Sequence, residues 1–193
     1  MRVLDLTRPP STLSFKLDLS SHSDQYGTRL DAPQLVLEEG LSVDQLPVDR
    51  LVRDSVLLDL TSKTPGEPID DEDLEGAEEE AGLTAREGEA VVIYTGWRPM
   101  HGQGFKSPVL STYAAEYLEF KRVSMVAVDT PCLDELGEGT FSAHEILLRK
   151  NILVVENLTN LQELDQSRFR MIVLPLRLPA KATLVRALAF LDD

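Results

Sequence analysis

Ala90-Val-Val-Ile-Tyr94 is a near-continuous apolar run entered through the turn Glu87-Gly88. Such a run suits a central strand buried on both faces, which demands covering layers on either side. Further strands are expected at Ser55–Leu60, Val123–Val128, Ile152–Val155 and Met171–Leu176. Helical signals fall between them. An acidic segment from about Asp71 to Glu80 has an aspartate cap and is stopped by Gly82. Ser111 caps a helix to about Lys121, with Tyr113, Tyr117 and Leu118 among its packing residues. Ser142-x-x-Glu145 has the spacing of a capping box opening a helix through Lys150. This interleaving makes the fold class α/β. Near the start, Val3–Leu6 and residues 13–19 (LSFKLDL) alternate as strands with no helix between them, so part of the sheet should be antiparallel or barrel-like. Leu41–Leu46 reads as one helical turn before Pro47, and residues 182–191 as either strand or helix. No linker interrupts the chain, so residues 1–193 are expected to form a single domain; VLDLT and LLDLT echo each other but are too short to be a repeat.

Charge removes several function classes. The 193 residues carry 19 basic and 33 acidic side chains, a formal charge of −14. Nucleic-acid binding is driven by cationic surfaces and anionic membranes attract them, so neither partner is expected. Much of the acid lies between Asp70 and Glu80 and reads as a solvated helix with acids at its positive end; no EF-hand spacing is present. There is no apolar run of the ~18–20 residues that cross a bilayer. With no signal-peptide pattern at the N-terminus and one cysteine, Cys132, a cytoplasmic protein is expected. The sequon Asn157-Leu-Thr159 is discounted on that basis.

Three positions carry potential chemistry. Gly27-Thr28 followed by Asp31-Ala-Pro33 is expected to be a tight polar loop, on which Asp31 is a good oxygen ligand. His144 sits in the first turns of its helix, on one face with Phe141 and Leu148. Glu156 ends an apolar strand, where a carboxylate needs a partner. The other candidates read more plainly. His22 and His101 suit exposed loops. Cys132 has no basic neighbour in sequence and suits a structural role, and Asp59 and Asp129 suit turns or caps at strand ends. No phosphate loop, nucleophile elbow or CxxC occurs.

In their order and spacing, several segments resemble the cyclase family of metal-dependent hydrolases, which includes bacterial kynurenine formamidase. They are the Gln25–Leu35 stretch, Leu57-Leu-Asp59-Leu, Glu87–Trp97, Tyr113–Leu118, Val126–Thr130, His144–Leu148, Asn151–Leu158, Leu161 and Leu174-Pro175-Leu176. The resemblance implies the family's swivelling β/β/α architecture with a mixed, partly barrel-like sheet, a homodimer or higher homo-oligomer, and a two-metal site. The family loop runs His-x-Gly-Thr-His-x-Asp-x-Pro-x-His. The resemblance implies that its first two histidines and the aspartate hold one metal. The aspartate, a helix histidine and a downstream glutamate hold the other, and the last loop histidine moves protons.

Carried onto this chain, Asp31, His144 and Glu156 match as metal residues, with His144 and Glu156 as the catalytic pair. Gln25 and Arg29 replace the two ligand histidines, and Leu35 replaces the proton-transfer histidine. Gln25, Arg29 and Trp97 are the expected contacts to a small-molecule substrate or ligand. A glutamine carbonyl is a poor zinc ligand, a guanidinium does not ligate at all, and leucine carries no proton. Two readings follow. One is an arylformamidase-like amide hydrolase holding one zinc or manganese ion on Asp31, His144 and Glu156. The other is a catalytically inactive relative that binds a ligand or a protein partner. There, Arg29 pairs with Asp31 or Glu156 in place of metal and no cofactor is needed.

Overall fold

In the computed structural model, which describes residues 1–10, 27–98, 106–135 and 141–192, three helices stand against a sheet that closes on itself. The strands are β1 (Arg2–Asp5), β2 (Arg29–Asp31), β3 (Val52–Asp59), β4 (Pro68–Ile69), β5 (Ala90–Tyr94), β6 (Val109–Leu110), β7 (Met125–Val128), β8 (Leu153–Glu156), β9 (Arg168–Pro175) and β10 (Ala182–Leu191). The helices are α1 (Asp71–Glu80), α2 (Thr112–Phe120) and α3 (Ser142–Arg149). The main sheet runs β1-β10-β2-β8-β7-β5-β3-β9, and a further β9–β10 pairing closes seven of these strands into a mixed barrel. β3, β5, β7 and β8 are parallel, as expected for strands joined through helices. The remaining pairings in this sheet are antiparallel. β4 and β6 form a small separate parallel pair.

β10 makes the closure. One edge pairs with β9 from Val185 to Phe190. Its other edge is shared: residues 182–184 take β2 and residues 188–191 take β1. The segment left open between strand and helix in the sequence is therefore a strand, and its alternating burial places Ala187 and Ala189 in the interior.

The parallel strands are buried on both faces, and successive residues feed different cores. Ala90, Val92, Met125, Ala127, Leu153 and Val155 fill the barrel. Val91, Ile93, Val126, Val128 and Val154 meet the helices with Leu74, Leu118, Leu147 and Leu148.

Two local expectations need correction. Arg29–Asp31 is not loop but β2, wedged between β8 and β10, because both neighbours satisfy its backbone. Ser142 does not cap α3 through a capping box: Phe141 occupies the cap position without a side-chain bond, and Ser142 is already helical. The exposed amides are taken instead by Asp134, whose carboxylate accepts from Ala143 N (2.8 Å) and His144 N (3.1 Å). The expected strand at residues 13–19 lies outside the described residues. No helix is long and apolar enough to cross a membrane, among the described residues.

Leu153 is fully buried inside the barrel while Phe120 on α2 is 82% exposed. Leu153→Ala should cost about 2–5 kcal/mol of unfolding free energy, and Phe120→Ala less than about 0.5 kcal/mol. Urea titration checks the contrast; equal costs would contradict this packing.

Candidate functional site

Strand periodicity builds the site. Residues two apart on a strand share a face, so Leu30 points into the barrel while Arg29 and Asp31 point out toward α3. Arg29 lies directly opposite Glu156 in the antiparallel β2–β8 register, the geometry in which opposite charges meet across strands. β2 is entered through Gly27 at φ +85°, where a Cβ would come within 2.7 Å of the Arg8 carbonyl.

The Arg29 guanidinium forks onto Asp31. Its Nε donates to Oδ1 at 3.1 Å, and its Nη2 reaches Oδ1 and Oδ2 at 2.9 and 2.8 Å. The same Nε stands 3.3 Å from Glu156 Oε2. His144, fully buried on α3, places Nε2 3.1 Å from Glu156 Oε1 and 3.3 Å from Asp31 Oδ2. On its other side Nδ1 meets Asp134 Oδ2 at 2.6 Å. Glu156 Oε1 also accepts the Leu133 amide at 2.9 Å. Two cations thus face three carboxylates.

The titration behaviour follows. Burial alone would push the Asp31 carboxyl up, but Arg29 and His144 hold it well below the usual carboxylate range. Burial would push the His144 imidazole down; Glu156, Asp134 and Asp31 outweigh it and hold it well above its ordinary value. Burial opposes the charge on Arg29 too, and Asp31 and Glu156 raise its pKa beyond the ordinary arginine value.

Asp31, His144 and Glu156 therefore do converge, and Arg29 joins them. Trp97 does not meet this cluster; its Nε1 donates to Lys106 O at 3.3 Å, and it lines a neighbouring cavity. Leu35 is partly buried against the helix-side core, following Pro33 in a 3-10 turn. Gln25, His22 and His101 lie outside the described residues. Two participants escape a reading by motif. Asp134 acts on α3 across a chain segment. Cys132 puts its sulfur with ligand atoms of His144 and Glu156, all within 4.8 Å of one another, although burial and Glu156 push its thiol pKa up.

As placed, the Asp31 and Glu156 carboxylates of this donor set are shared with a cationic side chain. Asp31 lies 2.8 Å and Glu156 3.3 Å from the guanidinium, and a metal would have to compete with that cation for them and with a proton for His144 Nε2.

The Cyclase family model ("Putative cyclase") matches residues 4–135. Kynurenine formamidase from Erythrobacter litoralis is 25% identical over 165 residues, 84% of this chain and 69% of the relative. That of Salinibacter ruber is 29% identical over 163 residues, 84% and 72% of the two chains. Among solved structures, a potential metal-dependent hydrolase with cyclase activity superposes at a TM-score of 0.79 with 24% identity, covering 100% of this chain and 98% of that one. Isatin hydrolase A from Labrenzia aggregata gives 0.82 with 22% identity, covering 100% and 94%. These structures share the fold.

Two measurements probe the cluster. Arg29→Met strands two buried carboxylates and should cost about 3–5 kcal/mol, with Arg29→Lys losing less because it keeps charge without the fork; denaturant titration decides, and a cost under about 1 kcal/mol for Arg29→Met contradicts the ion pairing. His144 is held above its unfolded value of 6.5, so its stabilising charge is fully present below that pH and is lost as pH rises through the higher folded value. The stability difference between the wild type and His144→Gln should therefore shrink above about pH 6.5; a difference that grows with pH contradicts the assignment.

Proposed function

This chain belongs to the Cyclase family, and we propose that within it the protein is a ligand-binding member whose buried arginine stands in place of metal, rather than a metal-dependent amide hydrolase. The observation that carries this reading is the Arg29 fork onto Asp31 with its reach to Glu156. Arginine offers fixed positive charge and a planar set of donors, so it neutralises paired carboxylates and fixes their geometry.

The same arrangement works against hydrolysis. A catalytic metal lowers the pKa of a bound water and needs an open position; a guanidinium does neither. A general base must be able to accept a proton. His144 is charged and faces three carboxylates, so it donates rather than accepts. Leu35, at the position of the family's proton-transfer histidine, is apolar. What persists is a rigid scaffold beside a cavity of about 330 Å³ lined by Trp97, Arg8, Tyr94 and Asn160, enough to take a small ligand.

The grouping of Cys132, His144 and Glu156 favours a second reading. In it one zinc or manganese ion is held by these residues or by Asp31, His144 and Glu156. The chain would then hydrolyse an amide of the arylformamidase type, as the names of its kynurenine formamidase relatives suggest. Ligand types alone allow it; the position of Arg29 opposes it.

Elemental analysis after dialysis against trace zinc and manganese separates the two. The wild type should hold far less than one metal per chain and leave N-formylkynurenine unhydrolysed. Arg29→His should take up zinc, since it adds an imidazole to two carboxylates and His144. About one metal per wild-type chain, lost on His144→Ala, would overturn the ligand-binding reading in favour of the hydrolase.

A further inference from the structure

The cavity at the carboxyl ends of β5, β7 and β8 holds the cation of Arg8, which forms no ion pair among the described residues. Arg8 follows β1, and its backbone is locked to the site strand: its N–H donates to Thr28 Oγ1 at 2.7 Å and its carbonyl accepts the Thr28 amide at 3.1 Å. The same Thr28 hydroxyl donates to Asn157 O at 2.7 Å. Arg8 is thereby fixed by the immediate neighbours of Arg29 and Glu156.

Its guanidinium is poorly compensated. Nη2 spends its bonds on two backbone carbonyls, Leu158 O at 3.2 Å and Asp129 O at 3.4 Å. Nε is buried with no hydrogen-bond partner. Among the described residues no carboxylate lies within ion-pair distance of it. The nearest acid on the cavity wall, Asp129, is committed elsewhere: Oδ1 accepts Thr95 Oγ1 at 2.7 Å and Thr95 N at 3.1 Å. In a chain of formal charge −14, Arg8 lies over the Trp97 ring, 5.8 Å from its centroid. A half-buried guanidinium without an anion is costly, and an incoming carboxylate offsets that cost with charge-assisted bonds.

We propose that this cavity binds a small organic anion with a flat unsaturated body, its acidic group on Arg8 and its ring beside Trp97 and Tyr94. The neutral side chains Asn160 and Gln162 complete the wall without adding negative charge, and exposed Arg98 adds a second cation at the rim. A volume of about 330 Å³ admits a single-ring carboxylate and sits at the small end of ligand cavities. Burial also pushes the Asp129 carboxyl up, against its hydrogen bonds from Thr95. Arg8 itself is pushed down by burial, with only Asp129 opposing.

This site rests on the ligand-binding reading above and names the ligand class for it. Trp97 is the only tryptophan in the chain, so its emission reports on this cavity. Benzoate, benzamide, acetate and inorganic phosphate are titrated into the wild type by tryptophan emission and calorimetry, and then into Arg8→Met and Arg8→Lys, each checked by a thermal melt. Saturable benzoate binding is expected, about tenfold or more weaker for benzamide and for Arg8→Met, because each removes a charged hydrogen bond. Acetate and phosphate should bind more weakly than benzoate, and Arg8→Lys should fall between the wild type and Arg8→Met. Should Arg8→Met fail to fold, the benzoate–benzamide ratio on the wild type decides. No saturable benzoate signal, equal binding of benzamide, phosphate as tight as benzoate, or full affinity in a folded Arg8→Met would each overturn the proposal. Metal analysis of the same preparation keeps the two readings apart. Stoichiometric metal overturns the function proposed above and leaves the Arg8 result standing on its own arms. A metal-free protein indifferent to benzoate overturns this site alone.

Discussion

The pairing of Arg29 with Asp31 and Glu156 is the interaction on which the region around the site depends. Asp31 is fully buried and Glu156 is 1% exposed, and they stand beside a buried imidazole. Unpaired carboxylates in such a place cost several kcal/mol, so something cationic must stand between them for β2 and β8 to lie side by side. Arg29 does so without moving from its strand, because an i, i+2 pair shares a face and the register sets Glu156 opposite. His144 then closes the cluster from α3, and Asp134 holds both the imidazole and the first amides of that helix. Helix position, strand register and charge balance are one constraint seen from three sides.

The framework was legible because its signals are local. Apolar runs marked β5, β7 and β8, where both faces are buried, and Ser111 marked the start of α2 by a real side-chain bond to Ala114 N. The capping-box pattern at Ser142 misled for the converse reason. The amides it would have satisfied were taken by Asp134, ten residues before His144 in sequence but adjacent in space. The reading of residues 27–31 as loop failed similarly: three residues give no periodicity to read, and β2 exists only because β8 and β10 flank it.

Convergence at the site was visible only through the ordered resemblance of whole segments, since Asp31 is far in sequence from His144 and Glu156. That route finds residues shared with a family and passes over those that are not. Arg8 follows the first strand with no motif around it, and its lack of an ion pair among the described residues is a property of the packed molecule. Trp97 was reached by resemblance, yet its neighbours in space are Arg8 and Lys106 rather than the charged cluster.

A metal ion and an arginine solve the same electrostatic problem with different consequences. Both bring positive charge between carboxylates and both impose directions on them. A divalent ion also exchanges ligands and acidifies water, which is the source of its catalytic use. A guanidinium is covalently attached, always protonated and saturated by its own hydrogen bonds. Either one keeps positive charge beside Asp31 and Glu156, which here comes from Arg29. His144 belongs to the same electrostatic setting. With two carboxylates on Nε2 and a third on Nδ1, it is the second cation the cluster requires.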